Sequence, residues 1–524
     1  MIEQPKTDAL RIAKNALSGA GARIAMMLIG FGLTPFIVHA LGLQQFGMWA
    51  VIGALAGYLG LLDFGLGGVF VKFLSEYIEQ AQLARARQVL TFGMIFYALF
   101  GIVLAVPIAF SAPYIVRLFK MPADQYADAM HVFYALFGLL VVTMVLGLPG
   151  AALVAMQRMD LVSRNNFAGY LAYAAGTIVL VRLGYGVWGV IGGQAIQVAV
   201  SCGLHWLTAR RRFGPMLHHP LKIERAIVRR MLGLGGWTQM TAILNIVSLD
   251  VGRFISAGLI SVASVSYYEL GSKIAFFSRS MPAYLLDAIF PSAAAADARG
   301  DGGAIDQLYE SGTVYSMFVT LGIGGFCIGA AGPVLRVWLG HQYPYVAAIV
   351  LWLGIGYIIS GMTGTGTTIV RATGLPNIET SFTAVTAAVN LGATAVLASR
   401  FGIVGVAGGS LAGWTAGTVY FLIRFHALQG TSWWKTVGLR IARLTLACGI
   451  ASVFVAVASA QPALSGLFAH RATGIAALLA LGIAYSLTYG ALTIVLGAWE
   501  AHDRRLLRRA THGRFLRFAR GNPA

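Results

Sequence analysis

Seven charged residues lie within stretches otherwise too apolar for water: Arg23, Asp63, Asp250, Arg253, Glu269, Lys273 and Arg279. A charge surrounded by hydrocarbon is costly, so one found there faces a cavity, a water path or a partner. Two chemistries fit these residue types. The first is internal neutralisation, since Asp250 and Arg253 are three apart and Glu269 and Lys273 four apart, spacings that share a helix face. The second is an anion site built from Arg23, Arg253, Lys273 and Arg279, because the planar guanidinium fork matches phosphate oxygens. Arg279 has no acid three or four positions away, whereas Arg23 is close enough to a span end to snorkel. Asp63 sits in LLDFGLGG and is open to two roles, a proton or Na⁺ site or a partner for Arg23. Asp287, near the end of its span, reads as solvated.

These charges are informative because so little around them is polar. The chain is 58% hydrophobic and 11% charged, with 65 glycines among 524 residues. A soluble domain is roughly 25% charged, so the expected class is an all-α integral membrane protein. A helix crosses a bilayer in about 20 apolar residues. Stretches of that kind fall near 15–40, 44–71, 88–112, 129–155, 166–183, 185–209, 231–257, 262–290, 312–336, 345–370, 377–399, 402–423, 437–459 and 473–498, which predicts fourteen spans. The buried charges concentrate in the first, second, seventh and eighth of these.

The distribution of charge predicts orientation. Outside the spans, 28 Lys and Arg fall on the side of the N-terminus and six on the other, so both termini are expected in the cytoplasm. The same bias accounts for most of the +19 net charge without a nucleic-acid partner. The opening MIEQPKTDALRIAK is polar and does not read as a cleavable signal peptide. Loops are too short for a catalytic or nucleotide-binding domain, and no GxxxxGK[ST] or HExxH pattern occurs, which argues against an enzyme and against a cofactor or metal site. Cys202, Cys327 and Cys448 are scattered and read as small buried hydrophobes. The tail 499–520 mixes seven arginines with Leu506, Leu507, Phe515, Leu516 and Phe518, and reads as a basic helix resting on anionic lipid.

A repeat organises the spans. GVWGVIGG at 186–193 returns 216 residues later as GIVGVAGG at 402–409, five of eight positions identical, and at the same offset Gly42-Leu43 falls on Gly258-Leu259. The expected domains are a six-helix lobe over 1–215, a second over 216–430, an added helix pair over 431–498 and a basic tail over 499–524. Because six is even, the lobes enter the membrane in the same direction.

Several motifs carry a resemblance. Thr34-Pro35, LGLQQFG at 41–47 followed by Trp49, LLDFGLG at 61–67, AMQRMDLVSRNN at 155–166 and the repeated G-x-x-GV-x-GG turn are similar to Wzx-type polysaccharide flippases. These belong to the multidrug/oligosaccharidyl-lipid/polysaccharide (MOP) exporter superfamily. The resemblance implies two six-helix bundles around a central cavity, usually with fourteen helices in flippase branches. It implies transport of undecaprenyl-pyrophosphate-linked oligosaccharide across the bacterial inner membrane for surface polysaccharide synthesis, with a polymerase and glycosyltransferases as associates. The alternatives are a multidrug or ion-coupled exporter of the same superfamily, which Asp63 and Asp250 keep open, and a peptidoglycan-precursor flippase. A membrane glycan polymerase or ligase would need larger outer loops.

Overall fold

The computed structural model describes residues 9–60, 66–119, 121, 125–214, 244, 249–341, 343–500 and 503. Asp63, most of the predicted seventh span and the tail beyond Asp503 lie outside the described residues, as does the side chain of Asp287. Every regular element among the described residues is helical. Nine of these helices are long and apolar enough to cross a membrane. Three of the nine, of 39, 53 and 53 residues, exceed what one crossing needs. Each of these is broken by glycine where two predicted spans meet, at Gly42, at Gly184 with Gly186, and at Gly402.

One unit comprises residues 1–246 with 256–266. Its helices are α1 (Ala9–Gly60, broken at Gly42), α2 (Leu66–Glu79), α3 (Leu83–Leu118), α4 (Tyr126–Ala155), α5 (Met159–Leu180) and α6 (Gly186–Phe213). Phe70, Phe73, Leu74, Val89, Leu90 and Leu153 form a core among α2, α3 and α4. Gly93 leaves room there for Phe70 and Leu148. The opposite face of α3 shows Leu99, Ile102, Val103, Val106 and Phe110 to the outside. Large exposed apolar side chains in a row are what a lipid-facing helix requires, since hydrocarbon replaces water as the surrounding solvent. Residues 256–266 join this unit through Ser266 Oγ, which donates to the Leu43 carbonyl, and through Gly47, which leaves room for the Val262 carbonyl.

The second unit comprises residues 247–255 and 267–524. A helix described over 249–255 (α7) leads into a π turn, Ser256–Ile260. Then follow α8 (Val262–Ala298), α9 (Gly302–Gly329), α10 (Ala331–Leu339), α11 (Pro344–Gly361), α12 (Gly364–Ala372), α13 (Pro376–Gln429, broken at Gly402), α14 (Leu439–Ala460) and α15 (Arg471–Val495). The last two fall on the predicted spans at 437–459 and 473–498. α14 packs along α9, and α15 along α14. Gly325 and Gly329 allow the approach, leaving room for Ser452, whose Oγ donates to the Gly325 carbonyl at 3.0 Å. Tyr485 and Tyr489 donate to the Leu321 and Phe318 carbonyls, so tyrosine hydroxyls buried in apolar surroundings find backbone acceptors.

The repeated glycine phrase adopts one geometry twice. Gly186 has φ 51° and ψ −128°, and Gly402 has φ 59° and ψ −139°, a region that side chains with a Cβ rarely enter. Three residues on, a Cβ at Gly189 would strike the backbone of Leu180 and Val181, and one at Gly405 the backbone of Leu397 and Ala398. The phrase therefore builds a tight corner, after which the two helices run in near contact past Thr177 and Thr394. The Gly42–Gly258 correspondence is looser, because Gly42 has φ 73° and Gly258 lies in the π turn. Gly408 and Gly409 provide a matched test. A Cβ at Gly409 falls on the Thr394 backbone, whereas one at Gly408 meets only the Leu397 side chain at 3.7 Å. Gly409→Ala is expected to cost about 1–3 kcal/mol, as overpacked sites do, with Gly408→Ala neutral. Thermal unfolding of the purified variants checks this, and equal stability would refute the close crossing.

Candidate anion-binding site

The intramembrane charges that the sequence singles out in the second unit, Asp250, Arg253, Glu269, Lys273 and Arg279, lie on α7 and α8, in two clusters along α8. Arg253 on α7 donates through Nε to Glu269 Oε2 at 2.8 Å, and its Nη2 lies 2.7 Å from the same oxygen. Its Nη1 pairs with Asp250 one turn earlier. These side chains are 12–23% exposed, so the contacts are only weakly screened. Lys273, one turn beyond Glu269, acts electrostatically on both Glu269 and Arg253. Asp250, Arg253, Glu269 and Lys273 thus form a quartet of zero formal charge. The sequence offered pairing within each helix, and the structure adds the pairing across helices, from Arg253 to Glu269. Gly252 makes that crossing possible, because a Cβ there would overlap the ring of Tyr268. Tyr268, fully packed, shares a 3.5 Å hydrogen bond with Ser410 of α13.

Arg279 is held differently. Its Cζ lies 4.5 Å from the ring centroid of Trp414 on α13 and 5.7 Å from that of Tyr357 on α11. Nη1 donates to Ser360 Oγ at 3.4 Å. Among the described residues Arg279 forms no ion pair with a carboxylate. Ring faces stabilise a cation through their quadrupole without cancelling its charge. The charge of Arg279 is therefore retained, in surroundings where an anion would interact with it strongly. Trp414, Tyr357 and Ser360 were not singled out from sequence. They are 78 to 135 residues from Arg279, in spans with no charge to mark them.

Arg23 lies in the first unit, on α1. It is exposed, with Nη2 near Gly19. Asp63 lies outside the described residues. Among the described residues no group of three His, Cys, Asp or Glu side chains is placed to hold a metal ion.

The pairing across α7 and α8 has a measurable signature. Arg253→Met and Glu269→Met should each destabilise the purified protein, since each leaves a charge without its partner. The double variant should lose less than the sum, with a coupling of about 1–3 kcal/mol. Simple additivity in a double-mutant cycle would show that the two side chains do not interact.

Comparison with known proteins places this geometry in context. The model of a family described as "Polysaccharide biosynthesis protein" matches residues 40–348. The uncharacterized membrane protein EpsK of Bacillus subtilis (strain 168) is 20% identical over 353 residues, 67% of this chain and 69% of EpsK. A putative O-antigen transporter of Shigella flexneri is 20% identical over 343 residues, 64% of this chain and 78% of that protein. Among solved structures, the lipid II flippase MurJ in an inward closed conformation superposes with a TM-score of 0.68 at 14% identity, covering 91% of this chain and 98% of MurJ. An inward-facing MATE family multidrug transporter of the MOP superfamily superposes with a TM-score of 0.61 at 13% identity, covering 81% and 99%. The structural likenesses establish the fold alone, a multi-pass helical one. The chain belongs to the polysaccharide biosynthesis protein family, in agreement with the resemblance of its motifs to Wzx-type flippases of the MOP superfamily.

Proposed function

We propose that this protein is a flippase that carries undecaprenyl-pyrophosphate-linked oligosaccharide from the cytoplasmic to the periplasmic leaflet of a bacterial inner membrane, by alternating access. The observation that carries the reading is Arg279, a cation on a predicted membrane span that rests on two aromatic rings and has no carboxylate partner among the described residues. A pyrophosphate is the anion such a group would hold, with the oligosaccharide in a polar cavity and the polyprenyl chain left in lipid. Arg253 and Lys273 contribute when substrate oxygens replace the carboxylates of Asp250 and Glu269, and Arg23 is the fourth cation of the proposed set. Rocking of a lobe over 1–215 against one over 216–430, each with its glycine corner, provides the change of access, with both termini in the cytoplasm. The protein makes and breaks no covalent bond in this cycle, and a polymerase and glycosyltransferases handle the same glycan before and after it.

Relatives support the cargo class, since one is named a putative O-antigen transporter and a structural neighbour a lipid II flippase. The fold likeness to a multidrug transporter keeps ion-coupled drug export as the second reading. The engagement of Asp250 and Glu269 by Arg253 counts against it, because a cationic drug would have to displace an arginine. Arg279→Ala is expected to abolish surface polysaccharide export with the protein present at normal level, and Arg279→Lys to restore part of it. Immunoblotting of the protein beside gel analysis of the surface glycan reads both. Full export by Arg279→Ala would remove the anion role, and altered drug susceptibility with normal glycan would favour the second reading.

A further inference from the structure

α8 and α11 run side by side in the same direction. Gly271 lets them touch, since a Cβ there would strike the Ile349 side chain. Further along, Arg279 reaches Ser360. One turn from the Gly271 contact, toward the helix starts, stand Tyr267 on α8 and Tyr345 on α11, with ring centroids 6.3 Å apart. Tyr343, which precedes Pro344 at the start of α11, brings a third ring to 5.8 Å from Tyr267. Both pairs are tilted by 53°, so the outer two rings stand at angles around the central one.

Two features separate this group from the interfacial tyrosines of a membrane bundle. An aromatic belt distributes rings around the headgroup level. Tyr114 near the end of α3 fits that description, 73% exposed and with no ring neighbour among the described residues. Here instead three rings converge from two segments of the chain. The second feature is the hydroxyls. Those of Tyr268, Tyr309, Tyr315, Tyr485 and Tyr489, in the same unit, each have a protein partner. Those of Tyr267, Tyr343 and Tyr345 have none among the described residues. Tyr345 is exposed and the other two are half-buried, so the group is open on one side.

We propose that Tyr267, Tyr343 and Tyr345 form a saccharide-binding platform at the outer end of α8 and α11. The C–H face of a pyranose packs on an aromatic ring, and its hydroxyls bond to phenol oxygens that lack a protein partner. Aromatic rings also suit a quaternary ammonium, but neither 261–268 nor 340–345 holds an acid to favour a cation. The platform rests on the transport reading for its cargo and its direction, since the starts of α8 and α11 face the periplasm when both termini are cytoplasmic. Tyr267 precedes Arg279 by twelve residues on α8, about 18 Å along a helix. An oligosaccharide of a few residues spans that length. With its pyrophosphate at Arg279, its leading sugars reach the rings and are held at the side where they leave.

The probe is the oligosaccharide released by mild acid from the host's lipid-linked pool, which carries neither pyrophosphate nor lipid. Saturation-transfer NMR with the full chain in nanodiscs should show transfer to sugar C–H protons, and equilibrium dialysis gives the affinity. Tyr345→Leu, at the exposed start of α11, should weaken binding several-fold. Tyr345→Trp should keep it, and Tyr114→Leu should leave it unchanged. Changing all three platform tyrosines to Phe keeps the rings, removes the hydroxyls and should give an intermediate loss. No binding by the full chain overturns the proposal, and so does binding that Tyr345→Leu and Tyr267→Leu leave intact. Tetramethylammonium binding that these variants abolish, without sugar binding, marks a cation cage and overturns it too. The probe has no phosphate, so Arg279 does not enter the readout, and a failed platform leaves the export test of Arg279→Ala to judge the transport reading.

Discussion

The arrangement of the second unit depends on how cations on α8 and its neighbour α7 are kept in surroundings that cannot hydrate them. Two solutions occur within about three turns. Around Arg253 the answer is charge against charge, with Asp250 and Glu269 sharing one guanidinium and Lys273 close by. Around Arg279 the answer is ring faces and one hydroxyl. Everything packed against α8 follows from these two requirements. α7 must come close enough to bring Arg253 to Glu269, so position 252 lacks a side chain where Tyr268 needs the room. α11 and α13 must present Tyr357, Ser360 and Trp414 at one level of the helix.

Glycine does the complementary work of letting helices approach. With lipid outside, apolar burial no longer drives helices together, and close packing has to replace it. The corner at Gly186 and its counterpart at Gly402 use the same backbone conformation and the same near-contact three residues later. Steric demand therefore explains why the same glycine phrase stands at both corners. Neither copy carries a charged residue, so the corners shape the bundle and leave polar chemistry to α7 and α8.

Much of this was legible in the sequence, for identifiable reasons. Length and apolarity marked the spans, and the gaps between predicted spans at 40–44, 183–185 and 399–402 coincide with the breaks at Gly42, Gly184 to Gly186 and Gly402. Intramembrane charges announced themselves by their rarity. The partnership between Arg253 and Glu269 was not legible, because it spans 16 residues and depends on the π turn at Ser256–Ile260. Helical spacing rules see three or four residues and no further. Trp414 was less visible still. An aromatic residue in an apolar span looks like packing until its neighbour across the bundle is known to be an arginine. The contact of Tyr315 with Asp503, 188 residues away, was equally out of reach of helical spacing.

The two ways of holding a cation have different consequences for a passing anion. An arginine at the centre of a membrane helix costs about 2.5–3.5 kcal/mol on insertion scales. A desolvated cation–π contact returns about 2 kcal/mol, so two rings together offset that cost while the charge remains. Carboxylates offset it by Coulombic attraction, and an arriving anion must then compete with them. Arg279 is accordingly ready to receive an anion without first losing a partner, whereas Arg253 must exchange one. A transporter needs both kinds of contact, since a site that only binds would not release. In the proposed cycle the paired quartet would re-form when cargo leaves, and that return to an internally neutral state would favour release in a way that the ring-held arginine cannot supply.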